Sequence, residues 1–373
     1  MMPNKLWIVT LLLFTPAALY WNVQEQLSSK PRRFQAGGPI NDIAFSPDGR
    51  WLALGRYDYV TLKKTATEER LEFRGQLEVW NVDGQQPERA FSIAETAPVD
   101  NPRFSSKGDA IFYLSGAERL CRLNVTTRRS TALWTLDTRG TQQFSLTPNG
   151  QVLTTQGEEI RLHDAQTGKL LRRLRQTPQD VLEKRSAAQK AQDAEDAERE
   201  KMGIPPSTAG YMVEDDNLDW VHSSRDGKIA CARVAYDSSF EIWNLQNGQK
   251  IARVENNSGS VHEGALSPDG KTLASGISRR VELFDIATRR TRLSLQTGGE
   301  VIRSIVWSNN STQIAVGNSA GELMLFDAKS GKRLRHFGGL KHYPLDNIAF
   351  SPDDRILASA ASSPNTVTLQ RIR

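Results

Sequence analysis

One six-residue phrase occurs three times, at positions far apart in the chain. Residues 44–49 read AFSPDG, residues 265–270 read ALSPDG and residues 349–354 read AFSPDD. The proline presets φ for a tight turn, and the Asp-Gly pair supplies a residue that tolerates positive φ. Apolar residues stand on both sides of each copy, so the phrase predicts a strand, a turn and a second strand. A chain that repeats one hairpin is expected to fold as a repeat protein.

Weaker copies of the turn extend the repeat along the chain. Together with the three clear copies, the turns begin at residues 46, 105, 147, 224, 267, 308 and 351. Four of the six spacings lie between 41 and 43 residues. The other two fit the same period with insertions of about 17 and 35 residues, at 57–75 and 177–216. Each turn is followed by a second apolar hairpin, so each unit carries four short strands, a to d. This period with four strands per unit predicts the blades of a β-propeller.

The two ends of the repeat region complement each other. The seventh unit stops with strand c at residues 366–373 and has no strand d of its own. Residues 32–38 precede the first unit, belong to no blade and can supply that missing outer strand, which removes an exposed sheet edge. The sequence therefore predicts an all-β fold over residues 32–373, a seven-bladed β-propeller of four-stranded blades whose ring is closed by an N-terminal strand. Residues 25–31 are then a linker.

The units resemble WD40 repeats over most of this region. The tryptophan–aspartate signature at the end of strand c survives in altered form, at Trp80-Asn81, Trp243-Asn244, Phe284-Asp285 and Phe326-Asp327. The glycine–histidine pair of the family is missing from every unit, which puts its hydrogen-bonded tetrad in doubt here. The SPDG turn is also similar to TolB-type propeller repeats, but LFDAKSGK at residues 325–332 fits WD40 repeats better. The resemblance implies a platform for protein partners.

An uncharged apolar stretch precedes the repeats. It spans residues 6–21, and these sixteen residues are intermediate in length between the core of a signal peptide and a membrane span. We expect residues 1–24 to form an apolar helix that anchors the protein in the cell membrane, with the propeller on the exported side. Cleavage near residues 15–17, which would give a secreted or periplasmic protein, is the alternative. Basic residues on both sides of the stretch leave its orientation open.

Strand order predicts that both insertions leave the same face of the disc. Insertion 57–75 is expected to be a loop between strands b and c, and insertion 177–216 joins a strand d to the next strand a. In the second insertion Thr177, Pro178 and Gly203 are the start and stop signals of a charged helix. This helix is either a solvated element on the rim or a docking element for a partner. Its candidate docking residues are Lys184, Arg185, Lys190, Glu195, Glu198 and Arg199.

The first polar residue of each strand a is expected at the mouth of the central channel. In unit order these residues are Asn41, Asp100, Gln142, Asp219, His262, Arg303 and Asp346. Contact with water at the rim explains polar residues there without a ligand. The alternative is a site for a partner's basic side chain, a small ligand or a cation. Because a ring that contains an arginine is a poor metal cage, we expect no metal and no cofactor.

The distribution of charge and the absence of catalytic motifs indicate what kind of function the protein has. The net charge is +5, and basic residues cluster in c–d turns and outer strands, at 128–129, 172–175, 289–292 and 332–335. Positive charge on outer strands prevents sheet-to-sheet aggregation, and contact with an anionic membrane surface is the alternative. The sequence has no HExxH, nucleophile-elbow, P-loop or nucleic-acid motif, so we name no catalytic residue and expect no nucleic acid. We predict a monomeric, non-catalytic interaction scaffold; the alternative is an exported propeller enzyme or a small-ligand binder that uses the channel mouth.

Overall fold

Seven four-stranded antiparallel sheets make up the part of the chain that the computed structural model describes. The described residues are 30–64, 69–116, 118–135, 143–156, 159–175, 198–199, 201, 218–235, 238–255, 261–338, 343–361 and 363–372. For residues 59–64, 69–71, 175 and 261–262 the description covers the backbone alone.

The described residues form 28 strands. In chain order the strands are β1 (Arg32–Gln35), β2 (Ile40–Phe45), β3 (Trp51–Lys64), β4 (Glu69–Asn81), β5 (Glu88–Glu95), β6 (Val99–Phe104), β7 (Ala110–Ser115), β8 (Arg119–Asn124), β9 (Arg129–Thr135), β10 (Phe144–Leu146), β11 (Gln151–Gln156), β12 (Glu159–Asp164), β13 (Leu170–Arg175), β14 (Leu218–Ser223), β15 (Ile229–Val234), β16 (Phe240–Asn244), β17 (Lys250–Val254), β18 (Val261–Leu266), β19 (Thr272–Ile277), β20 (Arg280–Asp285), β21 (Arg290–Gln296), β22 (Ile302–Trp307), β23 (Gln313–Asn318), β24 (Leu323–Asp327), β25 (Arg333–Phe337), β26 (Asn347–Phe350), β27 (Ile356–Ala361) and β28 (Thr366–Arg371). Blades 1 to 6 each use four consecutive strands, beginning with β2–β5. We call the face where strands a begin the mouth face, and the face with the a–b turns the turn face.

Blade 7 contains both ends of the described chain. Its strand order is β26, β27, β28 and β1, and Phe34 of β1 lies opposite Val367 of β28. Phe34 is buried, and its ring centre is 4.3 Å from that of Trp80 in blade 1. The prediction of seven blades closed by an N-terminal outer strand is therefore confirmed.

The repeated SPDG turn is held by its own side chains. In the first copy Gly49 has a φ of 73° and donates its backbone N–H to the carbonyl of Ser46 at 2.9 Å. The Ser46 hydroxyl accepts from the backbone N–H of Trp51 at 2.9 Å and donates to the Asp48 carboxylate. Ser46, Asp48 and Gly49 thus each stabilise the turn, which explains why serine, aspartate and glycine recur in most copies of it.

The core lies between blades rather than within them. In the described residues seven apolar clusters occur, and each joins two neighbouring blades. Between blades 5 and 6, for example, Val281 and Leu283 pack with Ile314 and Val316. A single blade cannot bury its faces alone, so the ring forms a rigid unit in which each blade stabilises the next.

Three outer-strand arginines connect neighbouring blades. Arg32, Arg172 and Arg292 each donate to backbone carbonyls in the c–d turn of the following blade. These bonds include Arg32 Nη1 to Val82 O at 2.9 Å, Arg172 Nη1 to Gln246 O at 2.7 Å and Arg292 Nη2 to Ala328 O at 2.7 Å. Part of the basic charge on the rim therefore has a structural role beyond protection of the sheet edges.

The expectation of a loop at insertion 57–75 is wrong. Strands β3 and β4 continue through it as a hairpin whose ladder runs from Trp51 opposite Asn81 to Lys64 opposite Glu69. The reason is local, because YDYVTL is rich in aromatic and β-branched residues, which favour a strand. The backbone N–H of Tyr57 donates to Pro39 O at 3.2 Å, which places the base of the hairpin on the mouth face.

The two predicted helices fall mainly outside the described residues. Residues 1–24 lie there, as do Lys184, Arg185, Lys190 and Glu195, so both helices stay predictions. At Glu198, Arg199 and Lys201 the backbone is helical, and the insertion joins β13, a strand d, to β14, a strand a. Within the described ranges no helix has the length and hydropathy that a membrane crossing requires.

Candidate functional site

An axial channel passes through the centre of the ring. Its volume is about 1100 Å³, and residues of all seven blades line it. The lining extends from the beginnings of strands a, at Asn41 and Asp346, to the a–b turns, at Pro47 and Pro352. The channel therefore connects the mouth face with the turn face.

The structure brings four of the seven predicted mouth residues together. Asn41, Asp100, Arg303 and Asp346 all line the channel. Asp219 is instead held by Arg233, whose Nε and Nη2 donate to its two carboxylate oxygens at 2.8 and 2.7 Å. Gln142 and the side chain of His262 lie outside what the structure describes.

A β-bulge accounts for the positions of two of these residues, Asn41 and Arg303. In four blades the pairing of strands a and b shifts by one residue, and the extra residue is Asn41, Asp219, His262 or Arg303. A bulge inserts an unpaired residue and turns the local side chains. As a result the residue after the bulge also lines the channel, as Asp42, Glu263 and Ser304 do.

Sequence reasoning missed a second set of channel residues. These are Asp42, Arg103, His222 and Glu263. Arg103 Nη1 lies 2.8 Å from Asp42 Oδ2, an ion pair between blades 1 and 2. Arg303 Nε lies 2.8 Å from Asp346 Oδ1 and joins blades 6 and 7 in the same way. Both arginines of the mouth half are thus paired with carboxylates.

Two channel carboxyls differ from these pairs. Neither Asp100 nor Glu263 makes an ion pair within the described part of the chain. Burial raises the pKa of Asp100 to about 6, and the charge of Asp42 adds to this while the bond from Asn41 opposes it. Burial likewise raises the pKa of Glu263 to about 7. Arg233 and Arg303 oppose the rise at Glu263, whereas Asp42 and Asp346 add to it.

His222 adds no positive charge to the channel at neutral pH. Burial, followed by the charge of Arg103, lowers its pKa to about 3. Its ring centre lies 4.4 Å from that of Trp220, another lining residue. The channel is therefore a mixed surface of paired arginines, unpaired carboxyls and aromatic rings.

The raised pKa of Glu263 predicts a pH dependence of stability. Its stabilising contribution is complete below the ordinary pKa of 4.5 and is lost as the pH rises through about 7. Glu263→Gln removes the ionisation, so we expect the variant to gain stability relative to the parent between pH 5 and pH 8. Urea unfolding at these two pH values measures the difference.

The control for this prediction is Glu282→Gln. The Glu282 carboxylate lies outside the channel and pairs with Arg280 at 2.9 Å. If Glu282→Gln changes the pH dependence as much as Glu263→Gln does, the channel is not its origin.

The described residues contain no cluster of three or more His, Cys, Asp or Glu side chains that could hold a metal ion. The channel carboxylates come from different blades and alternate with arginines, which accounts for this finding. Cys121 and Cys231 are both buried free thiols, and they lie in separate blades.

Comparison with known proteins agrees with this architecture. The family model described as WD domain, G-beta repeat matches residues 29–59. WD repeat-containing protein SL1-17 of Schistosoma mansoni is 26% identical over 131 residues, which cover 35% of this chain and 43% of that protein. WD repeat-containing protein AAC3 of Dictyostelium discoideum is 27% identical over 165 residues, which cover 43% of this chain and 34% of that protein. These similarities support a WD40 type of β-propeller.

A solved structure has the same fold over nearly the whole chain. A chain in the crystal structure of the mitotic checkpoint complex superimposes with a TM-score of 0.65 at 16% identity and covers 92% of each chain. At this identity the likeness concerns the fold alone. The matched regions span less than half the length of the two WD-repeat relatives.

Proposed function

We propose that this protein is an interaction scaffold, a rigid ring that binds a protein partner on its mouth face. The observation that carries the proposal is the β3–β4 hairpin, whose ladder continues to Lys64 opposite Glu69. The corresponding connection in blade 5 is a two-residue turn between Ile277 and Arg280. A long hairpin on a rigid disc presents a fixed surface, the arrangement that favours binding with little loss of conformational freedom.

The mouth face offers several contact features side by side. Phe73 is half exposed near the base of the hairpin, with exposed Arg74 next to it. Aromatic and arginine side chains are the residues that most often dominate binding energy at interfaces. The channel opens on this face, and the connection between β13 and β14 leaves from it. Similarity to WD-repeat proteins supports the same function, since propellers of that type commonly serve as interaction platforms.

We infer further that residues 1–24 tether the ring to the cell membrane, with the ring on the exported side. Support comes from the uncharged stretch at residues 6–21. Alkaline extraction of membranes and protease access to a C-terminal tag test this inference. Release of the protein at alkaline pH would contradict the tether, and protection of the tag in intact cells is expected only for an internal ring.

Crosslinking of the tagged full chain in cells tests the scaffold. One variant replaces residues 59–72 by a two-residue turn, and a second lacks residues 178–203. We expect partner proteins that crosslink to the parent chain to be lost from the first variant and reduced in the second. The double substitution Gln85→Ala/Gln86→Ala, in the c–d turn of the same blade on the turn face, is the control. If the hairpin variant and this control retain the same partners, the mouth face is not the docking surface.

A further inference from the structure

We propose that the rim of blades 5 and 6 binds the anionic headgroups of a lipid bilayer. The surface consists of the c–d turns and outer strands of these two blades, and we call it the basic sector. The inference rests on the proposed membrane tether and adds to it the chemistry of the lipid that the ring contacts. The exposed cations of the basic sector are Arg289, Arg290, Arg292, Lys329, Lys332, Arg333 and Arg335.

Contacts between the two blades bring these cations together on one continuous surface. Arg292 of β21 donates from Nη2 to Ala328 O at 2.7 Å and from Nη1 to Lys329 O at 3.4 Å. The outer strand of blade 5 therefore lies against the c–d turn of blade 6. A Cβ atom added to Gly331 in that turn would lie only 3.3 Å from Leu295 Cδ2 of β21, which shows how closely the two pack. Because both acceptors of Arg292 are uncharged carbonyls, its positive charge is not compensated.

Carboxylates are scarce in the basic sector. Residues 285–297 and 327–338 contain two acidic side chains, Asp285 and Asp327. Each is held in its own turn: Asp285 Oδ1 accepts from the Thr288 backbone N–H at 2.7 Å, and Asp327 Oδ1 accepts from that of Ser330 at 2.7 Å. Among the residues that the structure describes, none of the seven cations forms a salt bridge. The sector therefore has a large excess of positive charge.

Protection of sheet edges does not account for this excess. Every outer strand has an edge to protect, yet the rims of blades 1 and 4 carry no comparable charge. In blade 4, Lys250 and Arg253 lie 3.1 and 3.5 Å from the buried carboxylate of Glu241. In blade 1, residues 81–95 contain three carboxylates and one arginine. The concentration of positive charge on two neighbouring blades therefore favours an anionic ligand.

A bilayer fits this surface because it offers an extended layer of negative charge. The cations are spread along the outer rim of two blades, and Leu334, which stands between two arginines, is 42% exposed. Exposed apolar residues among basic ones are typical of surfaces that lie in the headgroup region of a membrane. The tether would join the ring at Lys30 in blade 7, whose Arg33 lines a small cavity together with Phe337 of blade 6. The basic sector is thus next to the blade where the tether is attached.

Hydrogen exchange of the full chain in lipid nanodiscs tests the proposal. One kind of disc contains phosphatidylcholine alone, and in the other a third of the lipid is phosphatidylglycerol. We expect the amides of residues 285–292 and 327–335 to exchange at least about threefold more slowly in the anionic discs, because contact with headgroups excludes water. A high salt concentration is expected to remove the difference, since it screens exposed charges.

A charge variant assigns the protection to the basic sector. The sector variant is Arg290→Gln/Lys332→Gln/Arg333→Gln, and we expect it to exchange equally fast in both kinds of disc. Arg292 is left intact because its bonds to the c–d turn of blade 6 hold the two blades together. Thermal melts of the variant and the parent chain establish that both are folded.

The control variant is Arg50→Gln/Lys107→Gln/Lys228→Gln, which removes the same number of cations from a–b turns of blades 1, 2 and 4. It is expected to retain the protection. Equal exchange of the parent chain in the two kinds of disc would overturn the inference, and so would an equal loss of protection in both variants. If the parent shows no protection and the sector variant loses crosslinked partners in cells, the ligand of the sector is an acidic protein and the inference fails.

Retention of the chain by discs of phosphatidylcholine alone tests the tether separately. If the chain is retained there but gains no protection in the anionic discs, the tether stands and the basic sector does not bind lipid. If the chain is not retained there, the tether fails. Binding of the chain to the anionic discs, and its loss in the sector variant, then decides on the basic sector alone.

Discussion

Replacing Arg56 with methionine is expected to lower the free energy of unfolding by about 3–5 kcal/mol. The Arg56 side chain is 2% exposed and lies 3.0 Å from Glu78, whose side chain is 0% exposed. The substitution leaves Glu78 with the indole N–H of Trp80 at 2.8 Å, the backbone N–H of Gly37 at 3.3 Å and the half-exposed guanidinium of Arg89 at 3.2 Å. A buried carboxylate that loses its buried partner is costly, because its desolvation is no longer compensated. Urea unfolding at pH 7 measures the change.

The same blade provides the control for this prediction. Arg50 and Asp83 lie 3.7 Å apart, and their side chains are 58% and 67% exposed. We expect Arg50→Met to cost less than about 1 kcal/mol, because water screens exposed pairs. The further variant Arg56→Met/Glu78→Leu is expected to recover much of the lost stability, since it removes both charges. Equal losses for Arg56→Met and Arg50→Met would show that burial of the pair has no energetic consequence.

Replacing Phe34 with alanine is expected to cost about 3–5 kcal/mol. Phe34 is 8% exposed in the cluster between blades 7 and 1, and its ring packs on Trp80. The substitution leaves a cavity at the joint where the ring closes, so it weakens the attachment of β1 to β28. Equilibrium unfolding gives the loss, and hydrogen exchange should show faster opening at the amides of β1 and β28 than elsewhere.

Phe73→Ala is the matched control, since it deletes the same side chain at a site that is 50% exposed. Its cost is expected to be well below that of Phe34→Ala, since half of the Phe73 side chain is already exposed to water. A Phe34→Ala variant as stable as Phe73→Ala would mean that the outer strand contributes little to closure of the ring.

The blade architecture was predictable because its signals are local. Each SPDG turn holds itself together through neighbouring residues, as Ser46, Asp48 and Gly49 do, so a hairpin can be located without knowledge of its surroundings. Closure of the ring was predictable because unit 7 lacks a strand d and residues 32–38, which belong to no other blade, can supply it. At 57–75 the period locates surplus residues but does not distinguish a loop from a hairpin, and the aromatic and β-branched residues of YDYVTL are the signal that indicates strands.

The channel was only partly predictable, for two physical reasons. One is the bulge, which places consecutive polar residues on the channel side and separates the buried apolar residues by three positions, as in Ile40 and Ile43 or Ile302 and Ile305. That spacing departs from the alternation of a regular strand and is the signal that would have found Asp42 and Glu263. The other is distance along the chain, since Asp42 and Arg103 meet only when blades 1 and 2 pack together.

Closure by β1 also fixes the direction in which an N-terminal attachment leaves the disc. Outer strands run from the turn face to the mouth face, and the contact of Arg32 with the blade 1 c–d turn places the beginning of β1 on the turn face. If residues 1–24 are a membrane tether, the seven-residue linker 25–31 spans at most about 25 Å. The turn face, with Arg128, Arg289 and Lys332 in its c–d turns, would then lie against the bilayer. The hairpin and the channel mouth would point away from the lipid, toward any partner in the same compartment.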